Sequence, residues 1–180
     1  MTVFATLMLA HLLADFPLQT NQIFKWKVAS SWGVALHVAI HVMVTAVLIT
    51  DLHRYWPVLA FLAVTHFLTD WLKLRVPARY QTPGFILDQL AHWLTLGVIA
   101  FAVPNLPVLL PEWVLYPAVV LAFIPALLMG LWIFANDLRG IEKDSCTFVE
   151  WACQHLLLAS QKVGFWLVLF VFTSSFIVMV

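Results

Sequence analysis

Histidine and aspartate residues recur in pairs, four positions apart, in four consecutive apolar segments near the start of the sequence. The pairs are His11 with Asp15, His37 with His41, His66 with Asp70, and Asp88 with His92. Residues four apart lie on one face of a helix, one turn above the other. Random placement of the 7 His and 9 Asp or Glu residues in 180 positions would give only about one such pair. Ionisable residues at membrane depth are costly and usually mark a functional site.

Imidazole and carboxylate groups together form the ligand set of zinc, manganese or iron. All eight paired residues are therefore candidate metal ligands, and zinc ranks first because it is commonest with this set. A tetrahedral zinc ion needs four ligands. Eight candidates thus fit either two ions, or one ion whose ligands are oriented by the remaining carboxylates. Without a metal, hydrogen bonds between His and Asp of different helices could instead hold the bundle together.

Several of the polar residues suit catalysis or substrate binding. Asp15, Asp70 and Asp88 are candidate catalytic residues, because a carboxylate beside a metal can act as general base toward water. Lys73 extends the third motif and suits an anionic group such as a lipid phosphate. With Gln19 and Gln89, which are polar neighbours on the same face, it forms a set of candidate substrate-binding residues.

The composition is that of a membrane protein. Hydrophobic residues make up 63% of the chain and charged residues only 10%, which is more apolar surface than a soluble core needs. The 9 basic and 9 acidic residues balance, so nucleic acid is not an expected partner. Cys146 and Cys153 indicate neither a disulfide framework nor a CxxC metal site. We therefore predict an all-α polytopic membrane bundle in which residues 1–180 form a single domain.

Six apolar segments are predicted to be transmembrane helices. They cover about residues 3–16, 31–50, 56–74, 83–103, 112–135 and 160–180. The first four, within residues 1–103, are predicted to form a four-helix core around a buried His/Asp cluster, and residues 112–180 to add two further helices. Because successive spans run in opposite directions, all eight paired residues would lie near the same membrane face.

Basic residues indicate which face this is, since they concentrate in cytoplasmic loops. Loops 1, 3 and 5 contain seven of them, whereas loops 2 and 4 contain only Arg54. The seven are Lys25, Lys27, Lys73, Arg75, Arg79, Arg139 and Lys143. The odd loops are therefore predicted to be cytoplasmic, both termini outside, and the His/Asp site near the cytoplasmic face.

The ordered motifs, with their flanking residues, resemble a known family. They are His11-Leu-Leu-Ala-Asp15-Phe-Pro-Leu-Gln19, His37-x3-His41, His66-Phe-Leu-x-Asp70-x2-Lys73 and Asp88-Gln89-x2-His92. Over roughly residues 5–100 the chain is similar to the bacterial DUF3307 family of uncharacterised multi-pass inner-membrane proteins. The resemblance implies a bacterial inner-membrane location and points to the same residues, but it implies no reaction. A looser likeness to membrane-bound metal-dependent hydrolases slightly favours hydrolysis.

The sequence therefore favours an intramembrane metal-binding protein, with a metal-dependent hydrolase of a lipid or lipid-linked substrate as the first interpretation. A divalent-metal or proton transporter would use the same residues as a transit site. It would need access from both faces, and the outer halves of the first four spans contain no ionisable residue. A non-catalytic subunit with a structural metal is another alternative, and haem is disfavoured by the nearby aspartates. The expected partners are the lipid bilayer and either a second copy of the chain or another membrane protein.

Overall fold

The computed structural model describes residues 1–75, 77, 81–141 and 146–179, and the regular structure of this part is helical, which confirms the predicted all-α class. Seven helices occur there: α1 (Thr2–Asp15), α2 (Asn21–Ala29), α3 (Ser31–Leu48), α4 (Leu52–Lys73), α5 (Gln81–Ala102), α6 (Glu112–Ile141) and α7 (Thr147–Met179). Helices α3, α5, α6 and α7 are long and apolar enough to cross a membrane, which indicates a membrane protein. Helix α1 has only 14 residues and α4 is less apolar. The number of six spans stays a prediction.

Helix α1 is the most deeply buried element of the fold. Helices α3, α5 and α6 all pack against it, and Leu9, Leu12 and Leu13 are completely buried. A helix surrounded by other helices does not need the length that a lipid-facing span requires. The last turn of α1 contains Asp15, so this packing places both members of the first pair inside the bundle. Helix α3 also packs on α4, and α4 packs on α5.

The main difference from the sequence prediction is α2, which we expected to be a loop. Thr20 begins this helix, because its Oγ1 accepts a hydrogen bond from the Ile23 backbone N–H at 3.3 Å. Ser30 is extended and separates α2 from α3, and its Oγ accepts the Gly33 N–H at 3.1 Å. Nine residues are too few to show a clear apolar period. The sequence pattern therefore missed the helix.

Three helices are longer than their predicted apolar segments. Helix α4 begins at Leu52 rather than near residue 56, α6 continues to Ile141 rather than to 135, and α7 is unbroken from Thr147. Contacts between α6 and α7 support the extensions there, since Trp132 Nε1 donates to the Cys153 carbonyl at 3.0 Å. A small buried cluster lies beside this bond and consists of Ala135, Val149, Ala152 and Leu156.

The orientation of the chain in a membrane and its division into residues 1–103 and 112–180 stay predictions. Two of the seven basic residues on which the orientation depends, Arg79 and Lys143, lie outside the described residues.

Candidate metal centre

The eight paired residues are buried, and they converge at one end of the bundle. They lie in about the last two turns of α1 and α4 and, in α3 and α5, between the second turn and just past the middle of the helix. Their exposed fractions run from 0% for His37 to 7% for Asp15. The structure thus brings together all the candidate ligands that were predicted from the sequence: His11, Asp15, His37, His41, His66, Asp70, Asp88 and His92.

The first group of ligand atoms joins α1 and α3. Asp15 Oδ1 lies 3.0 Å from His37 Nε2 and 3.1 Å from His41 Nε2, and the two nitrogens are 3.1 Å apart. His66 of α4 adds a fourth ligand atom within 4.8 Å of the others. In a tetrahedral zinc site with bonds of about 2.1 Å, the ligand atoms lie about 3.4 Å apart. This group therefore has the number, the chemistry and nearly the spacing of a zinc ligand set.

Two more groups share residues with the first and extend it toward α5. One contains His11, His66 and His92, the other Asp70, Asp88 and His92, and the ligand atoms within each again lie within 4.8 Å of one another. His66 Nε2 is 3.4 Å from Asp70 Oδ2, and His92 Nε2 is 3.4 Å from Asp88 Oδ1. Because His66 and His92 each belong to two groups, the ligand atoms form one continuous cluster.

Four ligand atoms in this cluster have no hydrogen-bond partner among the described residues. They are His66 Nε2, Asp70 Oδ2, Asp88 Oδ1 and His92 Nε2. A buried polar atom that is left unpaired costs about 1–3 kcal/mol, and folded proteins rarely keep several of them together. Each of these atoms can offer a lone pair to a cation. The donor set therefore fits a divalent metal ion.

Residues 3–121 match the family described as Protein of unknown function (DUF3307). The chain belongs to this family. The matched residues extend from α1 into α6 and contain all eight paired residues. No curated protein and no solved structure matches the chain significantly. The resemblance that the sequence motifs indicated is confirmed, and the family description assigns no activity.

Two lysines contact the cluster of this DUF3307 chain, and the sequence did not identify one of them. Lys27 of α2 is only 5% exposed, and its Nζ donates to Asp70 Oδ1 at 2.7 Å and to Gln19 Oε1 at 3.3 Å. The prediction that Lys27 lies in a loop is wrong, because this residue belongs to α2 and is buried. Lys73 Nζ donates to Asp88 Oδ2 at 2.6 Å. The sequence did contain an indication that a buried lysine was needed. Several aspartates lie in apolar segments, and buried carboxylates require cationic partners.

The two glutamines that were predicted to bind substrate contact the charged groups of the cluster. Gln89 Nε2 donates to Asp15 Oδ2 at 2.9 Å, and Gln89 Oε1 lies 3.2 Å from His11 Nε2. Gln19 accepts a hydrogen bond from the buried lysine of α2. Both side chains therefore help to position the cluster, and a role of Gln19, Lys73 and Gln89 in substrate binding stays a prediction.

A polar cavity of about 170 Å³ opens onto the cluster. Asp15, Asp88, Lys27 and Lys73 contribute to its wall, whereas Asp70 is only 1% exposed and lies deeper. A water molecule or a substrate group in this cavity would therefore meet the carboxylates of Asp15 and Asp88 first.

Proposed function

We propose that this DUF3307 chain is an integral membrane metal-binding protein whose His/Asp cluster holds one or two divalent ions near the cytoplasmic face, and that it hydrolyses a lipid or a lipid-linked substrate. The observation that carries the proposal is the convergence of eight buried His and Asp side chains on one cluster. Four of its ligand atoms make no hydrogen bond, and these atoms face each other at 3.4 Å in the pairs His66–Asp70 and His92–Asp88. Because each of these two pairs lies within one helix, it does not join helices, whereas a metal ion could take the facing nitrogen and oxygen atoms as ligands. Zinc is the first choice, and manganese or iron also suits these ligands.

The structure suggests how the ligands divide. Asp15, His37, His41 and His66 would hold a first ion, and Asp70, Asp88 and His92 would hold a second. A metal ion in such a site polarises an ester or phosphate group and makes water more acidic.

With the first group alone loaded, Asp88 is the best general base. It lines the polar cavity, its Oδ2 accepts a hydrogen bond from Lys73, and its buried Oδ1 lies 3.4 Å from His92 Nε2. The Asp88 carboxylate could take a proton from a water molecule that enters the cavity and attacks the substrate. Asp15 also lines the cavity, but in this state it would itself be a ligand of the first ion, and its Oδ2 accepts a hydrogen bond from Gln89. Asp70 lies deeper and would hold its histidine neighbours in position.

The other end of the bundle gives less support to a divalent-metal or proton transporter. The interior beyond the histidines is mostly apolar and contains no ionisable residue among those described, although Thr6 and Thr45 place two buried hydroxyls there. Buried residues there are Leu7, Val44, Leu48, Leu62, Leu96 and Ile99. The segment 103–111 also covers this end, because the Thr50 N–H donates to the Pro107 carbonyl at 3.0 Å and the Leu109 N–H to the Leu48 carbonyl at 2.9 Å. The site is thus better suited to chemistry at one membrane face than to passage across the membrane.

The metal proposal is tested by elemental mass spectrometry of the detergent-purified protein after equilibration with zinc, manganese or ferrous iron. We expect one or two bound equivalents in the wild type and a loss in His66→Ala. The matched control is His53→Ala, which removes an exposed histidine from the same helix and should retain the metal. A wild-type protein that binds none of the three metals would refute the proposal.

The hydrolase proposal is tested with the metal-loaded protein in vesicles that contain phospholipid ester and phosphodiester substrates. We expect turnover that falls by about 10²-fold or more in Asp88→Asn, since general bases contribute this much, while metal of the first group is retained. Metal binding without turnover would instead indicate a non-catalytic subunit with a structural metal. Zinc or proton flux across the vesicle membrane would establish the transporter.

A further inference from the structure

A long apolar groove runs between α5 and α6 and begins beside the polar cavity. Its volume is about 530 Å³. On α5 it is lined by residues at positions 82, 85, 86, 89, 90 and 93, which share one helix face, and on α6 by residues between 123 and 131. At a rise of 1.5 Å per residue, positions 82 to 93 span about 17 Å. This length is close to half the thickness of the membrane hydrocarbon, about 15 Å.

The groove and the polar cavity share the lining residues Phe16, Phe85 and Gln89. Phe85 lies at the boundary between the groove and the cavity. Its ring packs edge-on against that of Phe16, with the ring centroids 6.2 Å apart, and its centroid lies 5.5 Å from Lys73 Nζ. Gln89 hydrogen-bonds to Asp15, so the polar end of the groove adjoins the cluster. An amphiphile could therefore place its head in the cavity and its chain in the groove. A groove that only faced bulk lipid would not need this polar end.

The wall of the cavity contains donors for an anionic head. Lys73 Nζ has three N–H groups, of which one is used on Asp88 at 2.6 Å, and its side chain is 31% exposed. The amides of Gln19, Asn21 and Gln81 also line the cavity. Phosphate oxygens accept strong hydrogen bonds from ammonium groups. The two aspartates in the same wall, Asp15 and Asp88, are balanced by Lys27 and Lys73. The remaining N–H groups of Lys73 and of the amides therefore favour a phosphate head over an uncharged one.

We propose that the α5–α6 groove and the polar cavity together bind one phosphate-headed membrane lipid, with an acyl chain along the groove and the phosphate beside Lys73. This inference rests on the proposed function and deepens it, because it names the class of substrate. The head of the bound lipid would lie next to Asp15 and Asp88, where the chemistry is proposed to occur.

Two glycines of α6 provide a matched pair of variants. Gly130 lines the groove, and an added Cβ there would come within 3.2 Å of Phe85 Cε1. A leucine at this position would therefore extend into the space that the acyl chain needs. Gly140 lies on the same helix and has open space around it. Gly130→Leu and Gly140→Leu make the same chemical change, but only the first obstructs the groove.

The experiment is a titration of the detergent-solubilised whole chain, stripped of metal with EDTA and observed by native mass spectrometry. The probes are dioleoylphosphatidylglycerol, dioleoylglycerol and glycerol phosphate. We expect phosphatidylglycerol to bind about tenfold or more tightly than either of the others. We also expect Gly130→Leu to weaken its binding about tenfold, with Gly140→Leu equal to the wild type. Equal binding of phosphatidylglycerol and dioleoylglycerol, or an unchanged affinity in Gly130→Leu, would overturn the inference.

A thermal melt checks that Gly130→Leu is folded, and Ala126→Leu, in the same groove wall, replaces it if it is not. Because the titration uses metal-free protein, the two proposals fail separately. Lipid binding as expected in a chain that takes up no metal would refute the metal function alone. Metal uptake in a chain that fails the lipid comparison would refute the lipid site alone.

Discussion

The buried lysine of α2 provides the sharpest test of how the site is assembled. Lys27 Nζ donates to Asp70 Oδ1 at 2.7 Å, and the two residues are only 5% and 1% exposed. Methionine at this position keeps an unbranched apolar side chain but removes the ammonium group. Asp70 would then be a buried carboxylate without its cationic partner. We therefore expect Lys27→Met to lower the free energy of unfolding of the metal-free protein.

The size of this effect follows from the distance between the charges. At an effective dielectric constant of about 20, two unit charges 2.7 Å apart attract each other by about 6 kcal/mol. Part of the loss is offset, because methionine does not have to be stripped of the water that hydrates an ammonium group. Removal of one partner from a buried ion pair costs about 3–5 kcal/mol. In a chain of this length, this cost lowers the melting temperature by about 6–20 °C.

Thermal unfolding in detergent with EDTA present, followed by tryptophan fluorescence, measures this change. Lys25→Met is the matched control, because it removes the same charge from an exposed position on the same helix, and it should stay within about 0.5 kcal/mol of the wild type. The double variant Lys27→Met/Asp70→Asn should recover much of the stability, since it removes both charges. A Lys27→Met protein that melts together with Lys25→Met would refute the buried ion pair.

Two further predictions concern the contacts that hold α2 and α5 in place. Gly33→Ala should lower the melting temperature by several degrees, because the added Cβ would lie 1.9 Å from the Trp26 carbonyl oxygen and force α2 away from α3. Gly97→Ala is the control, since Gly97 has open space around it, and this variant should melt like the wild type. Asp137→Ala should lower the free energy of unfolding by about 1–3 kcal/mol, because the backbone N–H and hydroxyl of Thr82 both donate to Asp137 Oδ2, at 2.7 and 2.5 Å. Thermal melts measure both effects, and unchanged melting of Gly33→Ala or Asp137→Ala would contradict the corresponding contact.

The residues of the candidate site could be predicted from the sequence because each pair is local to one helix. A separation of four places both side chains on one face whatever the neighbouring helices do, and apolar surroundings make such residues costly unless they are used. His11 and His92 are far apart in the chain, yet their ring centroids lie only 5.0 Å apart. The alternation of helix direction was enough to anticipate this convergence, and it did not require accurate helix boundaries.

Lys27 could not be identified in the same way, because tertiary contacts decide its burial. Gly33 allows the start of α3 to lie directly against the backbone of Trp26 and Lys27, and this packing places the lysine beside Asp70 of α4. In the sequence, Lys27 and Lys25 both stand near tryptophans, a pattern typical of a membrane interface. Only the packing of three helices distinguishes the buried lysine from the exposed one.

The charges of the cluster connect its assembly with its proposed function. Asp15, Asp70 and Asp88 contribute three negative charges, Lys27 and Lys73 contribute two positive charges, and neutral imidazoles would leave a net charge of minus one. Each lysine already donates to one aspartate, while the second oxygens, Asp70 Oδ2 and Asp88 Oδ1, accept no hydrogen bond from the described residues. These two oxygens lie 3.4 Å from His66 Nε2 and His92 Nε2, respectively. An imidazole nitrogen and a carboxylate oxygen at this distance are ordinary ligands of one divalent metal ion. The cluster could therefore hold a metal ion, and the metal analysis decides between this function and a cluster that only balances buried charges.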